Sequence, residues 1–493
     1  MAALSREAAP FATDLRPLVN VTGRALAALG ALMIVPGLVD QAAGHANAAA
    51  FFASAALTLA AGVLMALATR GTGGEGLSVR QAYLLTLLIW VALPLFGALP
   101  FMLGAPGLSA VDAWFESVSG LTTTGATVIA GLEQLPPGAN LWRGLLQWTG
   151  GLGIVFVAMI FLPFMRVGGM QFFRAENFDT MGKILPRASD IASGILQVYL
   201  ILSVVVVATY AALGMSPLDA VVNAMATVST GGVSSSDASF GAYSGAVEIF
   251  GGLFMIAAAL PYVRYVQLLR GSPLSLLRDP QVRFFLGALA LGIVVAAGWG
   301  VIGRGLPVAS ALRESFFNIT SITTGTGFSS GSFAHWEGPA LVAGFILGLM
   351  GGCSGSSSAA LSVFRVQLVF HMLWARIRLI RTPSRILPVR YDGRRVGEDV
   401  LDSVMVFVSV YLIGLVLFAI AISLTGTDGY SALNGAWMAL GNVGYGFGPL
   451  ATLDGTFRHY PETAKWLMAL AMLLGRLGLL SMVVIVLPGF WRR

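Results

Sequence analysis

Apolar stretches of about 20 residues, the length that crosses a bilayer as a helix, alternate along this chain with much shorter apolar runs that end in small polar loops. Residues 21–39 and 48–69 predict a helical hairpin. After it come paired stretches at 82–103 and 141–164, 191–213 and 246–269, 284–302 and 341–373, and 400–424 and 465–488. Between the members of each pair lies a short apolar segment, such as 111–121, followed by a loop rich in Gly, Thr and Ser. A segment of that length does not reach across a membrane, and its loop is too polar to face lipid. A re-entrant half-helix whose loop faces protein or water satisfies the backbone. The pattern predicts about ten full spans and four half-helices, with both chain ends on one side.

The four loops align with one another. Thr122-Thr-Thr-Gly-Ala-Thr127 is followed by Ser229-Thr-Gly-Gly-Val-Ser234, Thr324-Gly-Thr-Gly-Phe-Ser329 and Gly441-Asn-Val-Gly-Tyr-Gly446. Taking Gly125, Gly232, Gly327 and Gly444 as equivalent gives a repeat of roughly one hundred residues. Upstream of these glycines, small residues fall in register at Ala113, Ala220, Ser315 and Ala432, and Glu116, Asn223, Asn318 and Gly435 share a second position. Span, half-helix, loop, span is the unit of a potassium-channel-like pore, used four times.

Composition agrees with the pattern. The chain has 493 residues, 56% hydrophobic and 11% charged, and a mean hydropathy of +0.81, whereas a soluble protein carries about 25% charged residues. It reads as an integral membrane protein. One cysteine, Cys353, excludes a disulfide framework, and His45, His335, His371 and His459 are too scattered to form a metal cluster. The first 20 residues lack a cleavable signal pattern and read as a cytoplasmic tail. Gly71-Thr-Gly-Gly-Glu-Gly76 matches a dinucleotide fingerprint only on paper, since no strand precedes it. The net charge is +6, and basic residues gather after the second span of the first three pairs: Arg166, Arg174, Lys183 and Arg187, then Arg264, Arg270, Arg278 and Arg283, then Arg376, Arg378, Arg381, Arg385, Arg390, Arg394 and Arg395. Positive loops stay cytoplasmic, so the glycine loops dip from outside. Nucleic acid is not an expected partner.

With the C-terminal ends of four half-helices directed at one axis, their partial negative charge favours a cation between them. Carbonyls of Thr123, Thr124, Gly125, Thr230, Gly231, Gly232, Gly325, Thr326, Gly327, Asn442, Val443 and Gly444 would replace its hydration shell. The loops carry no charge of their own, which points to a weakly hydrated monovalent ion, since divalent sites recruit carboxylates. Asp112, Glu116, Asp237 and Glu314 lie near the mouth or the half-helices and either concentrate cations or cap helix ends. The run Gly351-Gly-Cys-Ser-Gly-Ser-Ser-Ser-Ala-Ala360 predicts a break in the 341–373 span, where Gly351, Gly352, Cys353, Ser354, Gly355 and Ser356 form a movable constriction. Arg476 in the last span predicts a side chain facing the bundle interior, paired with a filter-loop carbonyl or with the 351–360 loop, or acting as an electrostatic barrier.

At Ser119-Gly-Leu-Thr-Thr-Thr-Gly-Ala-Thr127, Leu146-Gln-Trp-Thr-Gly-Gly-Leu-Gly-Ile154, Gly168-Gly-Met-Gln-Phe-Phe-Arg-Ala-Glu176, Gly351-Gly-Cys-Ser-Gly355 with Arg365, and Met472-Leu-Leu-Gly-Arg-Leu477, the chain resembles Trk-type potassium uptake proteins, the channel-like subunits of the Trk/Ktr/HKT superfamily. The resemblance implies an all-α membrane protein with one pseudo-tetrameric pore per chain, K+ in the filter, and no organic cofactor in this chain. It further implies a homodimer, a cytosolic nucleotide-binding (NAD/ATP-type) regulatory ring docked on the inner face, 351–360 as the intramembrane gating loop, and Arg476 as a pore arginine. Expected divisions are a cytoplasmic tail at 1–20, a hairpin at 21–76 and pore repeats at 77–187, 188–278, 279–395 and 396–493. The expected setting is the cell inner membrane, with both termini cytoplasmic, and H+ or Na+ coupling is left open by the sequence. Ser362 and Gly478 stand where the family usually has other residues, and Gly125 favours potassium, because serine in the first loop goes with sodium in this superfamily. The rival reading is an alternating-access transporter of another cation or small solute, whose sign is inverted repeats. No catalytic group gathers on the spans, so an enzyme is not expected.

Overall fold

The computed structural model describes residues 14–71, 77–156, 188–243, 245–331, 336–382, 388–478 and 488–491, and these are mostly helical. The Gly168–Glu176 match, the basic residues 166–187, Arg385 and His335, the end of the paper fingerprint and the ends of two predicted spans lie outside them.

Two long helices, Arg16–Ala42 and Ala48–Ala68, pack as the leading hairpin. Their seam is built from Gly23, Gly30, Gly37 and Gly62, where an added Cβ would strike the facing helix; in lipid such close backbone approach is what holds helices together. The buried Asp40 docks this hairpin on the rest of the chain. Its carboxylate accepts from Asn47 Nδ2 and from the Gly138 backbone N–H, each at 2.6 Å, at the start of helix Pro137–Phe156.

Four short helices follow the predicted positions: Ala110–Leu121, Pro217–Val228, Val308–Thr324 and Gly429–Gly441. Ser109, Ser216 and Asp428 cap three of them through their side chains, satisfying amide groups that have no partner inside the helix. Each short helix packs against the helix that follows the preceding loop. Pro217–Val228 lies on Pro137–Phe156, Val308–Thr324 on Ala246–Ala258, Gly429–Gly441 on Gly338–Met350, and Ala110–Leu121 on Glu462–Leu477. The last pairing closes a circle.

Among the described residues six helices are long and apolar enough to cross a membrane, and a seventh candidate, Ala246–Ala258 with Tyr262–Leu269, is bent by 92°. The expectation of a continuous span over 246–269 is therefore corrected. Pro261 has no N–H for the Ala257 carbonyl and its ring clashes with it; that carbonyl accepts from Tyr265 Oη at 2.9 Å instead. The 341–373 stretch is likewise two helices, Gly338–Met350 and Val363–Arg381, separated by an irregular segment.

Candidate site where four loops meet

All four short helices end alike. At the residue two before each aligned glycine, the backbone is left-handed: Thr123 (φ 53°), Thr230 (φ 50°), Gly325 (φ 73°) and Asn442 (φ 50°). In each case that residue's N–H bonds three residues back, to Gly120, Thr227, Ile322 or Ala439, and the next residue's N–H bonds five back, to Ser119, Ala226, Ser321 or Met438. This is the Schellman ending, usually given to glycine. Threonine in the left-handed region is strained, so its use at 123 and 230 requires surroundings that impose the turn.

The aligned glycines then have positive φ as well, 85° at Gly125, 73° at Gly232, 87° at Gly327 and 72° at Gly444. A Cβ on Gly125 would collide with the Gly231 carbonyl oxygen, one on Gly232 with that of Thr326, one on Gly327 with that of Val443, and one on Gly444 with that of Thr124. The loops thus form a closed ring in the order one, two, three, four, one, and glycine is required at all four places by both backbone angle and space. Asn442 adds a bond across the closing junction, donating to Thr124 Oγ1 at 2.8 Å and to the Met472 carbonyl at 3.0 Å. Beyond the ring opens a cavity of about 460 Å³ lined by all four glycines and by Arg143, Asp237 and Asp454.

The carboxylates that sequence placed near the mouth are engaged in structural contacts. Glu116 is buried against Arg143 at 2.8 Å and accepts from Thr127 Oγ1 and Val128 N. Asp112 pairs with Lys465 at 2.6 Å, Asp237 accepts from Gly131 N and Leu132 N, and Glu314 faces Arg304 at 3.8 Å. Glu133, outside the spans, holds loops one and two together. It accepts from Ser236 Oγ at 2.6 Å and Asp237 N at 3.0 Å, and the Ser236 bond lowers its pKa below the usual carboxylate value despite partial desolvation.

On the side away from this cavity, the 351–360 segment sits under the ring. Ser358 Oγ donates to the Thr324 carbonyl at the end of the third short helix, at 2.6 Å. Arg476, buried, donates to the Ser357 carbonyl at 2.8 Å, so of the expected pairings the structure has the one with the small-residue loop. Gly355 O accepts from Tyr262 N, and Cys353 N donates to the Ala259 carbonyl. Tyr262 Oη bridges Ser357 Oγ at 2.7 Å and the Val228 carbonyl, at the end of the second short helix, at 3.2 Å. Gly351, Gly352, Ser354 and Ser356 complete the segment, with Gly352 N on Ser358 Oγ, Ser354 N on Gln281 Oε1 and Ser356 Oγ on Cys353 O. Buried Arg365 anchors its far end on Leu361 O.

Sequence reasoning passed over Tyr262, although Pro261 in an apolar run was a signal for a break. It also passed over Arg143, Glu248 and Lys465, charged residues in or at the edges of apolar stretches, the same signal that singled out Arg476.

The family model described as "TrkH: Cation transport protein" matches residues 47–489. The potassium uptake protein TrkI of the Trk system of Halomonas elongata is 40% identical over 479 residues, 97% of either chain. TrkH of Escherichia coli, likewise a Trk system potassium uptake protein, is 33% identical over 97% of this chain and 99% of its own. The crystal structure of the potassium transporter TrkH from Vibrio parahaemolyticus superposes with a TM-score of 0.90 at 29% identity, covering 97% of this chain and 100% of the other. With a family model spanning most of its length and relatives that match it from end to end, the chain is a member of the TrkH family of cation transport proteins.

Proposed function

We propose that this protein takes up potassium across the cell membrane through one pore formed by its four loops, with hairpin 21–76 outside the pore and repeats 77–187, 188–278, 279–395 and 396–493 around it. The observation that carries the reading is the closed ring of glycine-to-carbonyl approaches. Carbonyls crowded around an axis at the ends of four helices supply a negative field with no fixed charge, which suits a dehydrated monovalent cation. Four identical helix endings arranged in one cyclic order support parallel repeats rather than the inverted ones of alternating access. The names of the relatives above, all potassium uptake proteins or transporters, supply the ion.

Gating falls to segment 351–360 and Arg476, because they stand directly beneath the ring and a fixed positive charge there repels a cation. Exposed Arg376, Arg378, Arg381, Arg390, Arg394 and Arg395 mark the cytoplasmic face and the docking side for a nucleotide-binding ring on a homodimer in the inner membrane, both termini inside. Uptake into proteoliposomes at an imposed negative potential, without a pH gradient, tests the reading. Potassium flux exceeding sodium flux, with the preference relaxed by Gly125→Ser, is expected. No cation flux with the regulatory subunit present, or selectivity untouched by the substitution, sinks it in favour of a solute transporter.

A further inference from the structure

The ring is not braced equally on all sides. Helix Pro137–Phe156, which follows loop one, reaches into loop two with two fully buried polar side chains one turn apart. Arg143, bound to Glu116, donates through Nη2 to Thr127 Oγ1 in loop one at 3.1 Å and through Nη1 to the Ser234 carbonyl in loop two at 2.9 Å. Gln147 straddles Gly232, donating from Nε2 to the Gly231 carbonyl at 2.5 Å and accepting from Val233 N at 3.1 Å. Of the four carbonyls that pack on the aligned glycines, Gly231 O is the one that receives a side-chain amide among the described residues.

The other loops are braced differently. Asn318, from the same repeat, bonds both the N–H and the carbonyl of Ser330, while Ser330 Oγ donates to Glu248 on Ala246–Ala258, the helix that follows loop two. In loop four, Gly435 replaces that asparagine, and Phe447 instead packs on Trp437 and Tyr430, with ring centroids 5.4 Å apart in both pairs. Loop three thus has a carboxylate from its neighbour's helix on a side chain, whereas in loop two the neighbour's helix places an amide on a carbonyl of the ring itself.

We propose that Arg143 and Gln147 are positioning residues for ion selectivity: they fix loop two against loop one so that the ring does not contract around sodium. The proposal rests on the filter reading above. Sodium, being smaller, is fully coordinated only if the carbonyls move inward. A carbonyl oxygen has two lone pairs, so Gly231 O can face the ion with one while Gln147 holds it back with the other. Arg143 suits the second tether because its planar fork serves Glu116, Thr127 and Ser234 at once, which a lysine ammonium cannot do with the same geometry.

The test compares potassium and sodium permeability in the same proteoliposomes for Gln147→Leu, Gln147→Glu and Arg143→Lys, since a ratio does not depend on how much protein is folded. Loss of one net hydrogen bond on the preferred ion's side corresponds to a fall in the ratio of about fivefold for Gln147→Leu. Gln147→Glu, nearly isosteric, keeps the acceptor for Val233 N and loses the amide donor, so it separates the Gly231 tether from simple packing; its ratio falls as well. A parental ratio in monodisperse, transporting variants overturns the proposal. For a variant that folds but does not transport, the melting temperature in potassium relative to sodium is read instead: a narrowed gap supports the tether and an unchanged gap overturns it. Gly125→Ser is run alongside. If it relaxes selectivity while the Gln147 and Arg143 variants do not, the positioning role of Arg143 and Gln147 falls and the filter stands; if none of them changes the ratio, the filter reading itself fails.

Discussion

At the scale of single residues, the four glycines were legible in the sequence because their spacing repeats, and their reason is now steric as well as conformational. The neighbours were less legible. Nothing in a lone Thr123 or Thr230 announces a left-handed turn, since threonine avoids that region and only the packed ring imposes it. Glu133 was not singled out at all; an exposed-looking acid in a loop gives no sign that it receives Ser236 Oγ and Asp237 N from another repeat. Its lowered pKa has a testable sign. A carboxyl with a folded-state pKa below its unfolded value stabilises the protein above the unfolded value and loses that contribution as the pH falls through the folded one. The melting temperature of Glu133→Gln in detergent is therefore expected below the parent's at neutral pH, with the gap closing below pH 4.5, the unshifted value. A gap that stays constant down to acid pH removes the charge from the explanation.

Elements were read from hydrophobic length, and length misled where a break is built into an apolar run. The run 351–360 betrays itself by ten small residues, but 259–261 does so only through Pro261, because Ala259 and Leu260 are as apolar as any span. The two breaks complete each other: the carbonyls of Ala258 and Ala259, freed at one, accept N–H groups of Ser357 and Cys353 at the other. Tyr262 ties this pair to the second short helix. Removing its hydroxyl in Tyr262→Phe leaves the ring aromatic packing intact and loses bonds worth about 1 kcal/mol each. Under the gating reading, basal potassium flux without the regulatory subunit rises several-fold; a basal flux equal to the parent's separates Tyr262 from the gate. The hairpin makes its own prediction. Asp40→Ala leaves the Gly138 N–H and Asn47 amide without their acceptor and lowers stability by about 1–3 kcal/mol, read as a drop in melting temperature; no drop means that the glycine seam alone seats the hairpin.

For the whole molecule, the spacing of the four loops along the sequence does not say how they close. Closure depends on contacts between residues hundreds of positions apart, Lys465 with Asp112 at 2.6 Å and Asn442 with Thr124 at 2.8 Å, which spacing along one chain does not encode. The same contacts bring the four loops together, and the central claim proposed above is that the ring they form binds potassium. Thallium, a potassium substitute with strong anomalous scattering, locates it directly in crystals of the full-length protein. The account predicts anomalous density on the axis of the ring, level with the carbonyls of Thr124, Gly231, Thr326 and Val443, and displaced by excess potassium. Density only beside the carboxylates of the outer cavity, or an axis empty at saturating thallium, would contradict it.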